Sequence, residues 1–200
     1  MSESFRAGMS MFLPDAPHYA LDDHFLRARM EAIVRERSIE VVVETGVHAG
    51  LSTVAFAQFA PRVVGVEVDP VCCAVARARC ADAGVENVEI VQGDSPEVIE
   101  RIAPTLPADH ALWFLDAHWG PKWPLLDEIA AIPRGAGIIV VHDFRCPGRT
   151  DGFDIYDGKR CEYEYVAEAL TAWSPTHGVE YATEFSGGGV GTGFIFPKVR

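Results

Sequence analysis

Residues 39–53, IEVVVETGVHAGLST, decide the fold, because an apolar, β-branched run leads there into a loop with two glycines. The apolar residues are continuous rather than alternating, which is typical of a strand buried on both faces of a parallel sheet. Gly46 and Gly50 let the backbone bend sharply and let a ligand approach more closely than a Cβ atom permits. A helix is predicted to follow, so the stretch indicates a strand, a binding turn and a helix.

The same alternation of strand and helix continues along the chain. Apolar runs of strand length are separated by segments rich in Ala, Val, Leu and Glu, which favour helix. The predicted strands are residues 39–44, 62–68, 88–91, 111–116 and 137–142. The predicted helices are residues 21–37, 52–59, 71–83, 96–102 and 125–132. This order predicts an α/β fold with a Rossmann-like, doubly wound, mostly parallel sheet.

The C-terminal part departs from this alternation. A predicted helix at residues 162–173 precedes two apolar runs, 179–185 and 193–196, around a glycine-rich turn at residues 187–189. Such a pair predicts an antiparallel hairpin at the sheet edge, which brings the sheet to seven strands. We therefore expect a single domain over residues 1–200, with an N-terminal extension and helix at 1–38 and a Rossmann-like core at 39–200.

The composition restricts the partners. The formal charge of −12 at pH 7 repels nucleic-acid backbones and acidic lipid, and the Lys and Arg residues are scattered rather than gathered in a stripe. Neither an apolar run of about 20 residues nor a secretion signal is visible. We therefore expect a cytoplasmic protein with a small-molecule substrate and no nucleic-acid or membrane partner, for which a homodimer is a compatible assembly.

The cysteines do not indicate a disulfide framework or a thiolate zinc site. Their number is odd and none forms a CxxC pair. We expect them to be reduced and mostly buried, because a free cysteine behaves as a small apolar side chain. They are Cys72, Cys73, Cys80, Cys146 and Cys161.

The glycine loop can be compared with two nucleotide-binding motifs. A phosphate-binding P-loop needs Gly-Lys-Ser/Thr at the helix start, but Leu51 follows Gly50. A dinucleotide site needs GxGxxG, but His48 stands two positions after Gly46. Neither motif fits, which leaves a different cofactor site or a plain tight turn.

Polar residues also follow the second and third predicted strands. Glu67 lies about 20 residues after Gly46, where an acidic side chain of this fold can accept hydrogen bonds from both hydroxyls of a ribose. The Gln-Gly-Asp-Ser run at residues 92–95 stands where an adenine edge would lie. An exposed strand-end carboxylate is the plainer interpretation of Glu67, but three successive strand ends together predict an adenosyl site.

The fourth and fifth predicted strands end in acidic residues and histidines. Asp116 and His118 follow the fourth, and His142 and Asp143 end the fifth. Ligands bind beyond the carboxyl ends of parallel strands, so these side chains are expected to face one crevice. They could hold a divalent cation, Mg²⁺ or Mn²⁺ or another transition metal, with imidazole favouring the transition metals. Without a metal, Asp116 would bind the cofactor or a substrate ammonium group, and the histidines would only fill polar positions.

Five motifs together are similar to those of a known family. VVETGVHAGLST, GVEVDP, VQGDS, FLDAHW and IIVVHDFRCPG resemble class I S-adenosylmethionine-dependent methyltransferases. The similarity is greatest to small metal-dependent O-methyltransferases of the catechol type and to related natural-product enzymes. The terminal GTGFIFPK resembles the last strand of that family, so the resemblance spans most of the chain beyond residue 38.

The resemblance implies a set of site residues. Glu44 and Gly46 would border the methionine moiety, and Glu67 would hold the ribose. Asp94 and Ser95 would lie by the adenine. The full set expected to bind the cofactor is Glu44, Thr45, Gly46, Gly50, Ser52, Glu67, Val68, Gly93, Asp94, Ser95 and Asp116. The expected metal ligands are Asp116, His118, His142 and Asp143, and the expected catalytic residues are Asp116, His118 and Asp143.

Two positions depart from the catechol-type pattern. His142 stands where those enzymes have the first of two adjacent oxygen ligands, which disfavours magnesium. Gly120 follows Trp119 where they have a lysine, the nearest lysine is Lys122, and an inserted alanine shifts the spacing. His118, with an ordinary pKa near 6.5, could take the proton of the acceptor, so the identity of the base stays open.

Residues 145–160, RCPGRTDGFDIYDGKR, have the Gly, Asp and Pro content of a mobile loop and are expected to form a lid. The evenly spaced Asp151, Asp154 and Asp157 do not match a calcium loop and are expected to face solvent. Five aromatic side chains are expected to wall the pocket. They are Trp119, Trp123, Phe144, Phe153 and Tyr156.

These features predict transfer of a methyl group from S-adenosylmethionine to a small-molecule hydroxyl oxygen, with assistance from a divalent metal. N- or C-methylation without a metal is the second interpretation, with Asp116 and His118 acting directly as base and orienting group. A non-catalytic module that binds the same cofactor is the third. A dehydrogenase on the same fold is the weakest.

Overall fold

Seven strands form one mixed sheet in the computed structural model, which describes residues 20–118, 123–186 and 189–198. In chain order the strands are β1 (Val41–Thr45), β2 (Val63–Glu67), β3 (Val88–Gln92), β4 (Ala111–Leu115), β5 (Ile138–His142), β6 (Ile155–Tyr156), β7 (Lys159–Arg160), β8 (His177–Tyr181) and β9 (Thr192–Pro197). The helices are α1 (His24–Glu36), α2 (Leu51–Ala57), α3 (Pro70–Asp82), α4 (Ser95–Ile102), α5 (Leu125–Ala131) and α6 (Tyr163–Trp173). Strands β6 and β7 form a separate small hairpin.

The order of the strands across the large sheet is β3-β2-β1-β4-β5-β9-β8. Strands β1 to β5 are parallel to one another, and β9 is antiparallel to both β5 and β8. The predicted Rossmann-like sheet with an antiparallel C-terminal pair is therefore confirmed. The sheet reverses its winding direction between β1 and β4, which is where ligands bind in open sheets of this kind.

The C-terminal pair differs in detail from the prediction. Strand β9 lies inside the sheet, between β5 and β8, so only β8 is an edge strand. Strand β8 already ends at Tyr181, and the connection to β9 is therefore longer than the predicted glycine turn. Two residues of that turn, 187 and 188, lie outside the described residues.

The strands at the centre of the sheet are buried on both faces. In β1, Val43 packs in the cluster with α4, α5 and α6, whereas Val42 packs on the opposite face with α1 and α2. The same holds for β2, β4 and β5, as continuous apolarity predicted. Strand β3 does not follow this prediction, because it is the free edge of the sheet and Glu89 and Gln92 are exposed.

Aspartate caps set the beginnings of two helices. The carboxylate of Asp23 accepts hydrogen bonds from the backbone N–H groups of Phe25 and Leu26 at 2.9 and 3.2 Å, so α1 begins at His24. Asp69 caps α3 in the same way, with Pro70 in the first helical position. Such caps stabilise a helix by about 1 kcal/mol, and Asp69 thereby fixes the chain that leaves the end of β2.

Three other expectations can be compared with the structure. All five cysteines are buried and free, as predicted. No helix among the described residues combines the length and the apolarity needed to cross a membrane. A single domain over residues 1–200 stays a prediction, since residues 1–19 lie outside the described part of the chain.

Candidate functional site

The five parallel strands all point their carboxyl ends at one edge of the sheet. The residues predicted to bind a cofactor lie at or after the ends of β1, β2 and β3, and the residues predicted to bind a metal lie at or after the ends of β4 and β5. Because β1 lies between β2 and β4, the two groups of residues are neighbours. The order of the strands therefore brings together the predicted cofactor motifs and the predicted metal motifs, which are separate in the sequence.

The glycine loop after β1 needs its two glycines for different reasons. Gly46 has a φ of +76°, and a Cβ atom on it would lie 2.5 Å from the carbonyl oxygen of Asp116. Gly50 has a φ of +78°, and its Cβ atom would lie 3.0 Å from Ala76 of α3. Residues with side chains rarely adopt such φ values. The first glycine thus lets the loop meet the end of β4, and the second lets α2 pack on α3.

Glu44 is the last but one residue of β1 and is fully buried. It accepts hydrogen bonds from the hydroxyls of Ser52 and Thr53, the latter at 2.5 Å. Burial raises the pKa of Glu44 to about 7, against the opposing effect of these two hydroxyls. The hydrogen bond between Glu44 and Ser52 therefore joins the two ends of the glycine loop. This supports a role for both residues in positioning the loop more than direct contact with a ligand.

Glu67 ends β2 with its carboxylate held in place. One oxygen accepts a hydrogen bond from the backbone N–H of His48 at 2.7 Å, and the other accepts from that of Asp69 at 2.9 Å. Each oxygen keeps further lone-pair capacity. The next residue, Val68, is 64% exposed and offers apolar surface beside the carboxylate. This geometry fits a nucleoside that places its ribose on Glu67 and its base near Val68.

The loop after β3 leads directly into α4. Asp94 stands at the position that caps this helix, but its side chain makes no capping hydrogen bond. Ser95 is buried, and a Cβ atom on Gly93 would lie 2.7 Å from Val98. Asp94 is exposed at the edge of the crevice, where a polar ligand edge can reach it.

Asp116, His142 and Asp143 form the first cluster of possible metal ligands. Nδ1 of His142 lies 3.0 Å from a carboxylate oxygen of Asp116 and 3.4 Å from one of Asp143. One ligand atom from each residue lies within 4.8 Å of the other two. Asp143 has a φ of +53°, a backbone conformation that is uncommon for residues other than glycine.

The charges of this first cluster are strongly coupled. Burial alone would lower the pKa of His142, but the carboxylates of Asp116 and Asp143 outweigh it and hold that pKa well above its ordinary value. Burial would raise the pKa of Asp143, yet the hydrogen bond and the charge of His142 keep it below its usual range. Two carboxylates therefore face one imidazole, an arrangement that attracts cations.

His118, Asp143 and Asp154 form a second cluster that shares Asp143 with the first. Nδ1 of His118 contacts the carboxylate of Asp154 and lies 3.8 Å from that of Asp143. Burial would lower the pKa of His118, but the hydrogen bond that it donates to Asp154 and the surrounding carboxylates raise it. The four predicted metal residues are thus brought together, and Asp154 joins them.

The expectation that the three aspartates face solvent is confirmed for Asp151 and Asp157, whereas Asp154 is only partly exposed and also contacts His118. The backbone N–H of Asp154 donates to the carbonyl of Asp143 at 3.0 Å, and its own carbonyl accepts from Cys161 at 2.8 Å. These bonds fold residues 145–160 back over the end of β5, with the β6–β7 hairpin at the turn. The segment predicted to be a lid therefore contributes a side chain to the site. The even spacing of the aspartates in the sequence could not predict that this segment folds over the end of β5.

Glu128 of α5 is a second residue that the sequence reading missed. It has no exposed surface, yet it lines the same cavity as Asp116 and His118. Burial raises its pKa to about 7, and the nearby hydroxyls of Ser95 and Thr45 oppose this shift. Both carboxylate oxygens are buried and have no hydrogen-bond partner among the described residues. The sequence did contain one signal for this residue, because a glutamate three residues after Leu125 lies on the apolar face of a predicted helix.

The predicted aromatic wall is only partly confirmed. Trp123 lines the cavity, stacks on Tyr165 with 4.7 Å between ring centres, and lies 5.9 Å from Tyr156. Phe144 is instead fully buried in the core, and Phe153 lies beneath the guanidinium of Arg145. Trp119, Gly120 and Lys122 lie outside the described residues.

Comparisons with known proteins agree with this picture. A transmembrane O-methyltransferase homolog of Rattus norvegicus is 33% identical over 120 residues, which cover 55% of this chain and 46% of that protein. Catechol O-methyltransferase of Mus musculus is 28% identical over 131 residues, which cover 61% of this chain and 49% of that protein. The chain thus spans about half the length of the curated relatives it matches. No protein-family model matches the chain.

A solved structure extends the similarity to the whole fold. The O-methyltransferase of Bacillus cereus in complex with SAH has a TM-score of 0.65 and 16% identity, with 98% of this chain and 89% of that chain covered. The fold of this chain is therefore that of the O-methyltransferase structure. In sequence, the chain is similar to O-methyltransferases of the catechol type, which confirms the resemblance that the motifs indicated.

The buried carboxyl of Glu128 gives a prediction for stability. Its pKa is about 7 in the folded protein and near 4.5 in the unfolded chain, so between these pH values only the unfolded state releases the proton. Its contribution to the free energy of unfolding is full below pH 4.5 and falls as pH rises towards 7, by on the order of 3 kcal/mol. Glu128→Gln should lose this part of the pH dependence in denaturant unfolding measured from pH 5 to pH 8.

Asp127→Asn is the matched control, because Asp127 is the neighbouring residue of α5 and is exposed. It should keep the wild-type pH dependence. Glu44 contributes a slope of the same sign, so some decline should remain in Glu128→Gln. An unchanged slope in Glu128→Gln would show that Glu128 ionises in the folded protein as it does in the unfolded chain.

Proposed function

We propose that this protein transfers the methyl group of S-adenosylmethionine to a hydroxyl oxygen of a small molecule, with a divalent cation at the acceptor side. One observation carries the proposal: a Cβ atom at Gly46 would lie 2.5 Å from the carbonyl oxygen of Asp116. The glycine loop after β1 therefore meets the loop that opens the His/Asp clusters. A methyl donor and its acceptor must be adjacent and aligned for transfer, and this close approach of the two loops supports such an arrangement.

The residues present fit the proposed cofactor. Glu67 holds its carboxylate rigidly through the N–H groups of His48 and Asp69, with capacity left for two ribose hydroxyls. Gly46 opens space where a side chain would collide with β4. S-adenosylmethionine supplies a methyl group that the sulfonium charge already activates. The protein's own task is then to bind the donor and to orient and deprotonate the acceptor.

The donor set also fits a divalent cation. Asp116, His142 and Asp143 would hold it, with His118 as a further ligand from the adjoining cluster. Carboxylates combined with imidazole favour Mn²⁺ or another transition metal over Mg²⁺. A divalent cation held there would act as a Lewis acid that lowers the pKa of an acceptor hydroxyl.

His118 is the residue that we assign to proton transfer when it does not serve as a ligand. Asp154 contacts its Nδ1 and so fixes the orientation of the imidazole. As the bond between oxygen and the methyl carbon forms, the bond between carbon and sulfur breaks, and the proton of the hydroxyl passes to this imidazole. Trp123, with Tyr156 and Tyr165 beside it, would then border the acceptor.

The remaining expectations stay parts of the proposal. With a formal charge of −12, we propose a small-molecule acceptor rather than nucleic acid. A cytoplasmic location, a single domain over residues 1–200 and a compatible homodimer are proposed on the sequence alone.

Metal-free N- or C-methylation is the second candidate. The observation that favours it is the direct contact between His142 and Asp116 at 3.0 Å, since paired carboxylate and imidazole groups need no cation to satisfy them. In that case Asp116 and His118 would act directly on the acceptor.

A transfer assay separates the two candidates. Purified protein is incubated with methyl-labelled S-adenosylmethionine and a panel of hydroxylated and amino compounds, with a chelator and then with Mn²⁺ or Mg²⁺ added back. We expect labelled O-methyl product, a loss of at least about tenfold in rate with chelator, and better recovery with Mn²⁺ than with Mg²⁺. Full activity in chelator would remove the metal and favour the second candidate. No labelled product from any acceptor would contradict both.

A further inference from the structure

Glu128 is a buried acidic residue that none of the proposed catalytic steps uses. It has no exposed surface, it lines the cavity, and neither of its oxygens has a hydrogen-bond partner among the described residues. A buried carboxyl without a partner is costly. Such groups in native proteins are expected to meet a partner that the protein chain itself does not provide.

The neighbours of Glu128 show which part of the site it serves. The hydroxyl of Thr45 lies at the end of β1, and that of Ser95 lies at the start of α4. Asp116 follows β4. All three neighbours are residues that we propose for the cofactor crevice. Glu128 therefore approaches that crevice from the helix layer beneath it.

The charged groups that act on Glu128 among the described residues are acidic, and none of them is a cation. The acidic groups that act on it are Asp116 and Asp94, and both raise its energy when it ionises. The two imidazoles of the cavity already contact other carboxylates, His142 with Asp116 and His118 with Asp154. A positive charge brought into the crevice by a ligand would stabilise the ionised form of Glu128.

We propose that Glu128 makes the crevice discriminate between S-adenosylmethionine, whose sulfur is a cationic sulfonium, and S-adenosylhomocysteine, whose sulfur is a neutral thioether. This inference rests on the proposed function. The two compounds differ by one methyl group and by the charge on sulfur, so a buried carboxylate near the sulfur attracts the first and gains nothing from the second. Charge interactions are stronger in such a water-poor site than in bulk water. The consequence is tighter retention of the donor and easier release of the product.

The test is a pair of calorimetric titrations on metal-free protein at pH 8, one with each compound. Wild type is compared with Glu128→Gln, which removes the charge and keeps the shape, and with Glu128→Met, which is neutral and unbranched. Asp127→Asn removes an exposed charge from the same helix and is the matched control. We expect both Glu128 variants to weaken binding of the sulfonium compound about tenfold and binding of the thioether less than twofold. The control should keep the wild-type ratio of the two affinities.

Three results would overturn the inference. If the Glu128 variants bind both compounds more weakly by the same factor, Glu128 shapes the crevice but does not distinguish the charge on sulfur. If the ratio of affinities is unchanged, the carboxylate does not act on the sulfur at all. If wild type binds neither compound, the proposed function itself fails, which distinguishes that failure from the first two.

Discussion

Asp116→Asn should reduce methyl transfer by about two to three orders of magnitude, since loss of the proposed cation, which would act as a Lewis acid, would remove several kcal/mol of transition-state stabilisation. Asp116 contacts His142 at 3.0 Å and belongs to the first ligand cluster. An amide is a poorer ligand for a divalent cation and carries no charge. Equilibrium dialysis with Mn²⁺ should therefore show weaker cation binding by the variant.

The two candidate mechanisms differ in the second measurement. In metal-assisted O-methylation, activity and cation affinity fall together. In metal-free methylation, activity falls while the amount of bound cation stays as in wild type. Asp109→Asn is the control, because Asp109 is an exposed carboxylate outside the site and should leave both quantities unchanged. Full activity in Asp116→Asn would contradict both mechanisms.

Gly46→Ala should abolish measurable binding of S-adenosylmethionine and lower the free energy of unfolding by about 3 kcal/mol. The φ of +76° is strained for alanine, and the added Cβ atom would lie 2.5 Å from the carbonyl oxygen of Asp116. The carbonyl oxygen belongs to the backbone, and the direction of a Cβ atom is fixed by the backbone that carries it, so neither atom can rotate away. The loop after β1 or the end of β4 must move, and either movement displaces residues that we propose to bind the cofactor.

Gly84→Ala is the control that separates the effect of backbone strain at a positive φ from the effect of a steric clash of the added Cβ atom. Gly84 has a φ of +66°, but a Cβ atom on it would meet nothing within 4 Å. This control should lose about 1 kcal/mol of stability and bind the cofactor as wild type does. Calorimetric titration and denaturant unfolding of both variants supply the comparison. Equal cofactor affinity in Gly46→Ala and Gly84→Ala would show that the loop does not form the cofactor site.

Much of the fold follows from local pattern. The central strands are continuous apolar runs because both faces are buried, and the helices between them carry clear start signals such as Asp69 and Pro70. The place of β9 between β5 and β8 could not be predicted in this way, since strand order depends on pairing over long distances. The exposure of β3 at the sheet edge has the same origin.

The residues of the candidate site likewise fall into those that local sequence pattern predicts and those that depend on long-range packing. Glu67, Asp116 and His142 could be predicted because each stands at or next to the end of a recognisable strand, where ligands bind in this fold. Asp154 reaches the site only because backbone hydrogen bonds fold residues 145–160 back over β5. Glu128 arrives from the helix layer, and a charged residue on an apolar helix face was its only sign in the sequence.

The most direct measurement is a calorimetric titration of purified wild-type protein with S-adenosylmethionine in the absence of acceptor. We predict saturable uptake at a single site per chain, and we expect Glu67→Gln, which would weaken the proposed ribose contact, to lower the affinity. The absence of any measurable heat or saturation, with the chain folded, would contradict it, because every assigned role depends on that ligand lying at the ends of β1 to β4.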